Sequence, residues 1–472
     1  MVSSSAPLAT PGKTASASPA KKFFVDMLVR DIDLHDAILD LLDNCVDGAM
    51  RKAGSAGNAG ISLPYKGSEA RITFDENRFI VEDNCGGIPL ALAEQYAFRL
   101  GRADVGRDKD LPTVGVYGIG MKRAIFKLGR HAEIKSQTSQ GGLKVEILPA
   151  WLEDDNDWSL PLQESENVLS QAGTKIVVTE LRDGIPRIFS DETDFERTLK
   201  TAISAYYGYI IDKGFSVFVN DEEISPVKVA LVTDDFQTKD GITPYIYEGN
   251  IKGVDVVVTV GLYRALPNED EEDAAMEGRP STEKAGWTVV CNDRVVLFAD
   301  KTRVTGWGEA TVPQYHTQFI SIAGTVTFKS NDARLLPLTT TKRGVDGNSE
   351  LYLEVKEYMR EGLKLFTNFT NKWKKSSKEL RAINVQTTTV DPEIAFSRVP
   401  ADKWSNVHRN DGRRYKPNLP LPSEDDPSRQ IRFSRRMSEI AEVASYLFDD
   451  TGRSAGDVGA KCFDDVLDRA KK

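Results

Sequence analysis

At 472 residues and 40% apolar content, the chain can support two hydrophobic cores and an appendage, and no apolar run approaches the length of a bilayer span. A net charge of −10 argues against a surface generally coated by nucleic acid. The scattered Cys45, Cys85, Cys291 and Cys462 give neither a disulfide framework nor a zinc-ligand spacing. Residues 1–20 are rich in Ser, Ala and Pro; they read as a disordered segment without the apolar core of a secretory signal, so a cytoplasmic chain is expected.

From Ile32 to Arg51 the pattern predicts an amphipathic helix opened by Asp33 as N-cap, with Leu34, Ile38, Leu41, Cys45 and Ala49 at three- and four-residue spacing. Its other face carries Asp36, Asp40, Asn44 and Asp47, which stacks a carboxylate one turn before a carboxamide. A carboxylate can take a proton from an attacking water, and an amide oxygen can ligate a hard cation such as Mg²⁺. A solvated acidic face is the alternative. Arg71–Asp75 and Arg78–Glu82 then predict a β-hairpin that ends on Asp83-Asn84-Cys85-Gly86-Gly87-Ile88. There Asp83 either hydrogen-bonds a planar heterocycle or closes a plain Asx-turn.

Next comes Gly115-Val116-Tyr117-Gly118-Ile119-Gly120-Met121-Lys122 before an apolar helical run. Such a glycine loop lets main-chain N–H groups approach phosphate oxygens, and the following helix turns its positive end towards them. Gly173-Thr174, at the head of an apolar run to Thr179, predicts a strand and nothing further.

Taken in this order, the four motifs resemble the GHKL ATPases: the ATPase component of DNA gyrase, the large heat-shock chaperone, the sensor histidine kinases and MutL. The resemblance implies a Bergerat-fold α/β sandwich, with helices on a mixed sheet and ATP between them. Asp40 would then be the water-activating residue and Asn44 the Mg²⁺ ligand. Asp83 would take the adenine amino group, Gly87 and Ile88 would line the base, and Thr174 would support Asp83. Gly115 to Lys122 would hold the phosphates. Two departures stand out: Asp40 occupies a place where hydrolytic members carry Glu, which implies slow turnover, and Cys85 replaces a glycine. Lysine directly after the loop and Phe23–Leu28 before the acidic helix resemble the bacterial MORC-like branch.

Beyond residue 180, a helical segment over 193–213 leads into strand-like runs at Phe215–Asn220, Val254–Val260, Gly286–Phe298 and Phe319–Phe328. They predict a second α/β domain, where the resemblance places an S5-like transducer that supplies a lysine to the γ-phosphate. Lys342, before a long helix, is the candidate, with an exposed loop lysine as the alternative. The expected organisation is a disordered 1–20, an ATP-binding domain over 21–212, the transducer over 213–347, a long helix over 348–375, a linker or extended arm over 376–430, and C-terminal helices over 431–472. Arg409, Arg413, Arg414 and Lys416 around Tyr415 offer a patch for a phosphate backbone, so DNA or a protein client through the C-terminal half is expected. The resemblance implies an ATP-dependent clamp whose lid, from about Leu100 to Gly120, closes as two protomers associate, and it makes a setting in phage defence one expectation. A nucleotide-regulated binding module or a chaperone-like remodeller with little hydrolysis shares the same site.

Overall fold

The computed structural model describes residues 20–55, 62–99, 118–155, 157–190, 193–238, 241–266, 284–339, 342–373, 388–407, 411–422, 431 and 433–471. They fall into two units, Met1–Pro422 and Ser423–Lys472. Residues 1–19 of the expected disordered segment 1–20, most of the lid and Gly115, Val116, Tyr117 and Arg409 lie outside the described residues.

The first layer of the larger unit is a mixed sheet in the order β5-β4-β3-β6-β2-β1-β7-β8. Its strands are β1 (Glu69–Phe74), β2 (Phe79–Asp83), β3 (Gly129–Thr138), β4 (Gly141–Ile147), β5 (Leu162–Ser165), β6 (Gly173–Leu181), β7 (Ser216–Val219) and β8 (Glu222–Glu223). Alternation sets its buried face: Ala70, Ile72 and Phe74 of β1 and Phe79 and Val81 of β2 point into one core. Helices α1 (Lys21–Arg30), α2 (Leu34–Ser55), α3 (Gly120–Leu128), α4 (Phe195–Tyr206) and α5 (Gly208–Asp212) contribute to the same core. Asp33 caps α2 by accepting the His35 N–H at 2.8 Å.

The run Phe215–Asn220, expected to open the second domain, belongs instead to this first sheet. β7 pairs parallel with β1, from Glu69↔Ser216 to Ile72↔Val219, and Val217 and Val219 enter the same core as Ile72. The first layer therefore continues past the expected boundary at 212/213, because that strand is apolar on the face that meets this core.

A second sheet runs in the order β13-β12-β14-β11-β10-β17-β16. A separate pair joins β9 (Leu231–Thr233) to β15 (Thr388–Val390). The strands of the second sheet are β10 (Tyr245–Ile251), β11 (Val254–Leu262), β12 (Gly286–Cys291), β13 (Arg294–Asp300), β14 (Ile322–Lys329), β16 (Ser405–Asn406) and β17 (Arg413–Tyr415). α6 (Glu350–Trp373) covers this sheet with Leu351, Val355, Met359, Leu363 and Phe366, all buried with its strands.

Within the segment read as a linker or extended arm, the described residues 388–407 and 411–422 include packed strands. β17 pairs with β10, and Val390, Ala395, Val399 and Tyr415 share a core with Ile246. Three of the basic residues around Tyr415 meet carboxylates: Arg413 pairs with Glu248 at 2.7 Å, Arg414 with Glu361 at 3.2 Å, and Lys416 with Glu361. These ion pairs offset part of the positive charge expected around Tyr415. In the smaller unit, α7 (Met437–Phe448) and α8 (Ala455–Ala470) form the two expected C-terminal helices. Among the described residues, no helix is long and apolar enough to cross a membrane.

Candidate functional site

α2 is the spine of the site. Its acidic stripe is not a solvated face: Asp40 and Asp47 are buried, as is Asp43, while Asn44 is exposed. Carboxylates almost never enter a core unpaired, so each partner supplied to this helix is informative.

At the strand-end cradle, Asp83 closes the β1–β2 hairpin opposite Thr174 of β6. It forms an Asx-turn, accepting the Cys85 N–H at 2.7 Å. Burial lifts its pKa to about 6, against the pull of hydrogen bonds from the Cys85 backbone, the Cys45 thiol and the Thr174 backbone. The Asx-turn reading of Asp83 thus holds, in a residue held half-buried. Thr174 reaches it through the main chain, and its hydroxyl lies 3.1 Å from Ser136 Oγ. Ser136 also accepts the Ile88 N–H at 2.7 Å, which ties the turn after β2 to β3. Gly87 has φ +74°, and a Cβ there would stand 2.1 Å from the Gln137 carbonyl oxygen; no other residue fits.

Cys85 departs from glycine without strain because the left-handed positions of this turn are Gly86 and Gly87. Its side chain packs towards Gly48 of α2, where a Cβ would meet the Cys85 Cβ at 2.9 Å. Burial pushes the Cys85 thiol far up, so it is a packing group.

At the start of α3, Gly118 is left-handed, Ile119 precedes the helix and Gly120 opens it. A Cβ on Gly120 would be 3.4 Å from the Asp40 carboxyl, so the loop and the acidic helix meet here. Met121 is partly buried against the core. Lys122 donates to the carbonyl of Ala97 at 2.9 Å and to that of Gly118, bracing the end of the loop. One residue on, Arg123 donates to Asp40 at 2.6 Å. Burial raises the pKa of Asp40, while Lys342 and Arg123 oppose that rise.

From the second layer, Lys342 lies in the loop before α6 with φ +55°. It is no exposed loop lysine. At 8% exposure, its ammonium donates to Asp43 Oδ2 at 3.1 Å. Burial would depress its pKa, yet Asp43, Asp47 and Asp40 raise it. Asp43 Oδ1 receives Arg294 Nε of β13 at 2.8 Å and the Tyr207 hydroxyl at 2.7 Å. Burial alone would raise Asp43, but Arg294 and Lys342 hold it at about 2. Arg343 pairs with Asp36 of the same helix.

Sequence reasoning missed Asp43, Arg123, Arg294 and Ser136. Asp43 adjoins Asn44 but falls off the four-residue stripe, and Arg123 directly follows Lys122; only Arg123 could have been found by asking what neutralises Asp40. Arg294 and Ser136 carry no local signal, since only the fold brings β13 and β3 to the site.

Asp83 offers an acceptor at the strand end, and Arg123 Nε is buried without a hydrogen-bond partner among the described residues, a donor of the kind that an anionic ligand takes. Among the same residues, no cluster of three His, Cys, Asp or Glu side chains is arranged to hold a metal. Asn44, exposed on α2, presents an amide oxygen of the kind that a hard cation takes.

Residues 32–174 match the family model of the histidine kinase-, DNA gyrase B- and HSP90-like ATPases. That span runs from the start of the acidic helix to Thr174, and it supports a GHKL-type ATPase domain there. No curated protein matches the chain.

Proposed function

We propose that the chain is a Mg²⁺-dependent ATPase of the GHKL type, working as a slow clamp that closes and dimerises on ATP, nearest to the MORC-like branch. The observation that carries the reading is the convergence on α2. Its residues meet the glycine-loop helix through Gly120 and Arg123, the strand-end cradle through Cys45 and Gly48, and the second layer through Lys342.

Asp83 accepts the base's amino group, and Gly87 and Ile88 lie along the ring. Gly115 to Lys122 enclose the phosphates, with α3 presenting its N-terminal end. Asn44 ligates Mg²⁺, which offsets phosphate charge when bound. Asp40 takes a proton from the attacking water, and the second layer is an S5-like transducer whose Lys342 contacts the terminal phosphate.

A second reading, a nucleotide-regulated binding module with little hydrolysis, is favoured by the Asp40–Arg123 pair, which occupies the base that chemistry needs. Steady-state phosphate release at saturating ATP separates the two. Turnover that vanishes in Asp40→Ala supports the ATPase; tight ATP binding without turnover supports the module; no ATP binding sinks both. A DNA or protein client and a cytoplasmic setting rest on the sequence patterns alone, and a role in phage defence rests on the resemblance alone. Co-purification from the native host, with and without a non-hydrolysable ATP analogue, tests them.

A further inference from the structure

We infer that Arg294 is a positioning residue that lets Lys342 change partners: it neutralises Asp43, so the lysine can leave this carboxylate for the terminal phosphate of a nucleoside triphosphate. The inference rests on the ATPase reading and adds to it a residue that no motif marks.

Asp43, at 1% exposure, carries two cations, one on each oxygen. Arg294 and the Tyr207 hydroxyl share Oδ1, while Lys342 holds Oδ2. The two cations differ in freedom. The Arg294 guanidinium is itself 1% exposed; it donates through Nη1 to the carbonyls of Val295 at 2.7 Å and Tyr206 at 3.2 Å, and it lies 4.0 Å over the Tyr207 ring. A planar fork fixed at that many points stays in place. Lys342 reaches Asp43 from a loop, through a flexible stem whose ammonium makes one hydrogen bond among the described residues.

A buried carboxylate stripped of its only cation is strongly disfavoured. With Arg294 present, departure of Lys342 leaves Asp43 paired. Without Arg294, the lysine would be the sole counter-charge and would be held where it is. Because the three groups stand on α2, β13 and the loop before α6, the exchange would report nucleotide state from the ATP-binding helix to the second layer. A diphosphate has no group to draw the lysine away, so the exchange is specific for the triphosphate.

The test uses the full chain, with ADP and a non-hydrolysable ATP analogue as probes. Affinity is read by calorimetry and compaction by small-angle scattering during titration. Arg294→Gln should raise the analogue concentration for half-maximal compaction by about tenfold or more, the ratio that one charge-assisted hydrogen bond supplies, with ADP affinity unchanged. Asp43→Asn should lower that concentration, and the double variant should recover the response that Arg294→Gln loses. A merely structural arginine would not be rescued by removing its partner.

A wild-type response in Arg294→Gln, or a response lost there and still absent in the double variant, overturns the exchange. Should Arg294→Gln fail to fold, Asp43→Asn decides alone: easier compaction supports the exchange and an unchanged response overturns it. If the unaltered chain binds ADP and analogue but compacts with neither, the clamp reading falls and takes the exchange with it.

Discussion

Asp40 and Arg123 stand 2.6 Å apart, which joins the acidic helix to the first turn of the glycine-loop helix. A general base must be ionised to accept a proton. Burial pushes the Asp40 pKa up while Lys342 and Arg123 oppose it, so removing Arg123 raises it further. The sign follows: in Arg123→Ala the acid limb of the pH–rate profile moves to higher pH, and the alkaline plateau stays or rises because the carboxylate is released. Asp40→Ala should lose about 10²–10⁴-fold in turnover and keep ATP bound. Phosphate release measured across pH checks both. An unmoved acid limb in Arg123→Ala would show that Asp40 is not the base.

The cradle gives a pH dependence of binding. Asp83, with a pKa of about 6, is ionised at neutral pH and can accept an amino group on either oxygen. Below about 6 it carries a proton and accepts only as a neutral carbonyl, so the charge assistance of that bond is lost and ATP affinity should fall as pH drops through this value. Asp83→Asn should weaken ATP by roughly 1.5–3 kcal/mol at pH 7, the usual worth of a hydrogen bond to a charged group, and should abolish the pH dependence. Calorimetry at several pH values tests it. Unchanged affinity in Asp83→Asn would remove the adenine assignment.

Gly48 and Cys85 form a complementary pair. A Cβ on Gly48 would lie 2.9 Å from the Cys85 Cβ and 3.0 Å from its carbonyl oxygen. Gly48→Ala should therefore destabilise by about 1–3 kcal/mol through overpacking. Cys85→Gly in the same chain should recover part of that loss, because it removes the side-chain clash and leaves the carbonyl. Urea unfolding of the two single variants and the double gives the coupling. Additive losses would mean that the two residues do not share this contact.

Much of the first layer was legible because its signals are local. The Asp33 cap, the spacing of α2, the hairpin up to Asp83 and the Gly120 start of α3 each follow from a few neighbouring residues. The Phe215–Asn220 strand was misplaced because a parallel partner far away in the chain leaves no trace in the strand itself. The pairing of Arg413, Arg414 and Lys416 was hidden for the same reason: Glu248 and Glu361, which they meet, are distant in sequence. The burial of Asp40, Asp43 and Asp47 was hidden too, since periodicity reads a carboxylate as a surface residue unless its cation is known.

Lys342 provides the last test. Its ammonium lies on Asp43, 3.1 Å from Oδ2, in a layer other than the one that carries the glycine loop. Under the clamp reading, triphosphate gives it a competing anion and diphosphate does not, so only the former shifts the equilibrium between open and closed forms. A contact of this kind contributes on the order of 1.5–3 kcal/mol, enough to move a balanced equilibrium strongly. A non-hydrolysable ATP analogue, but not ADP, should compact the protomer and promote dimers in small-angle scattering and analytical ultracentrifugation. Lys342→Ala should still fold, because Arg294 continues to pair Asp43 at 2.8 Å, and it should still bind nucleotide while losing the response. Equal compaction by ADP and analogue, or an undiminished response in Lys342→Ala, would exclude this lysine as the coupling residue.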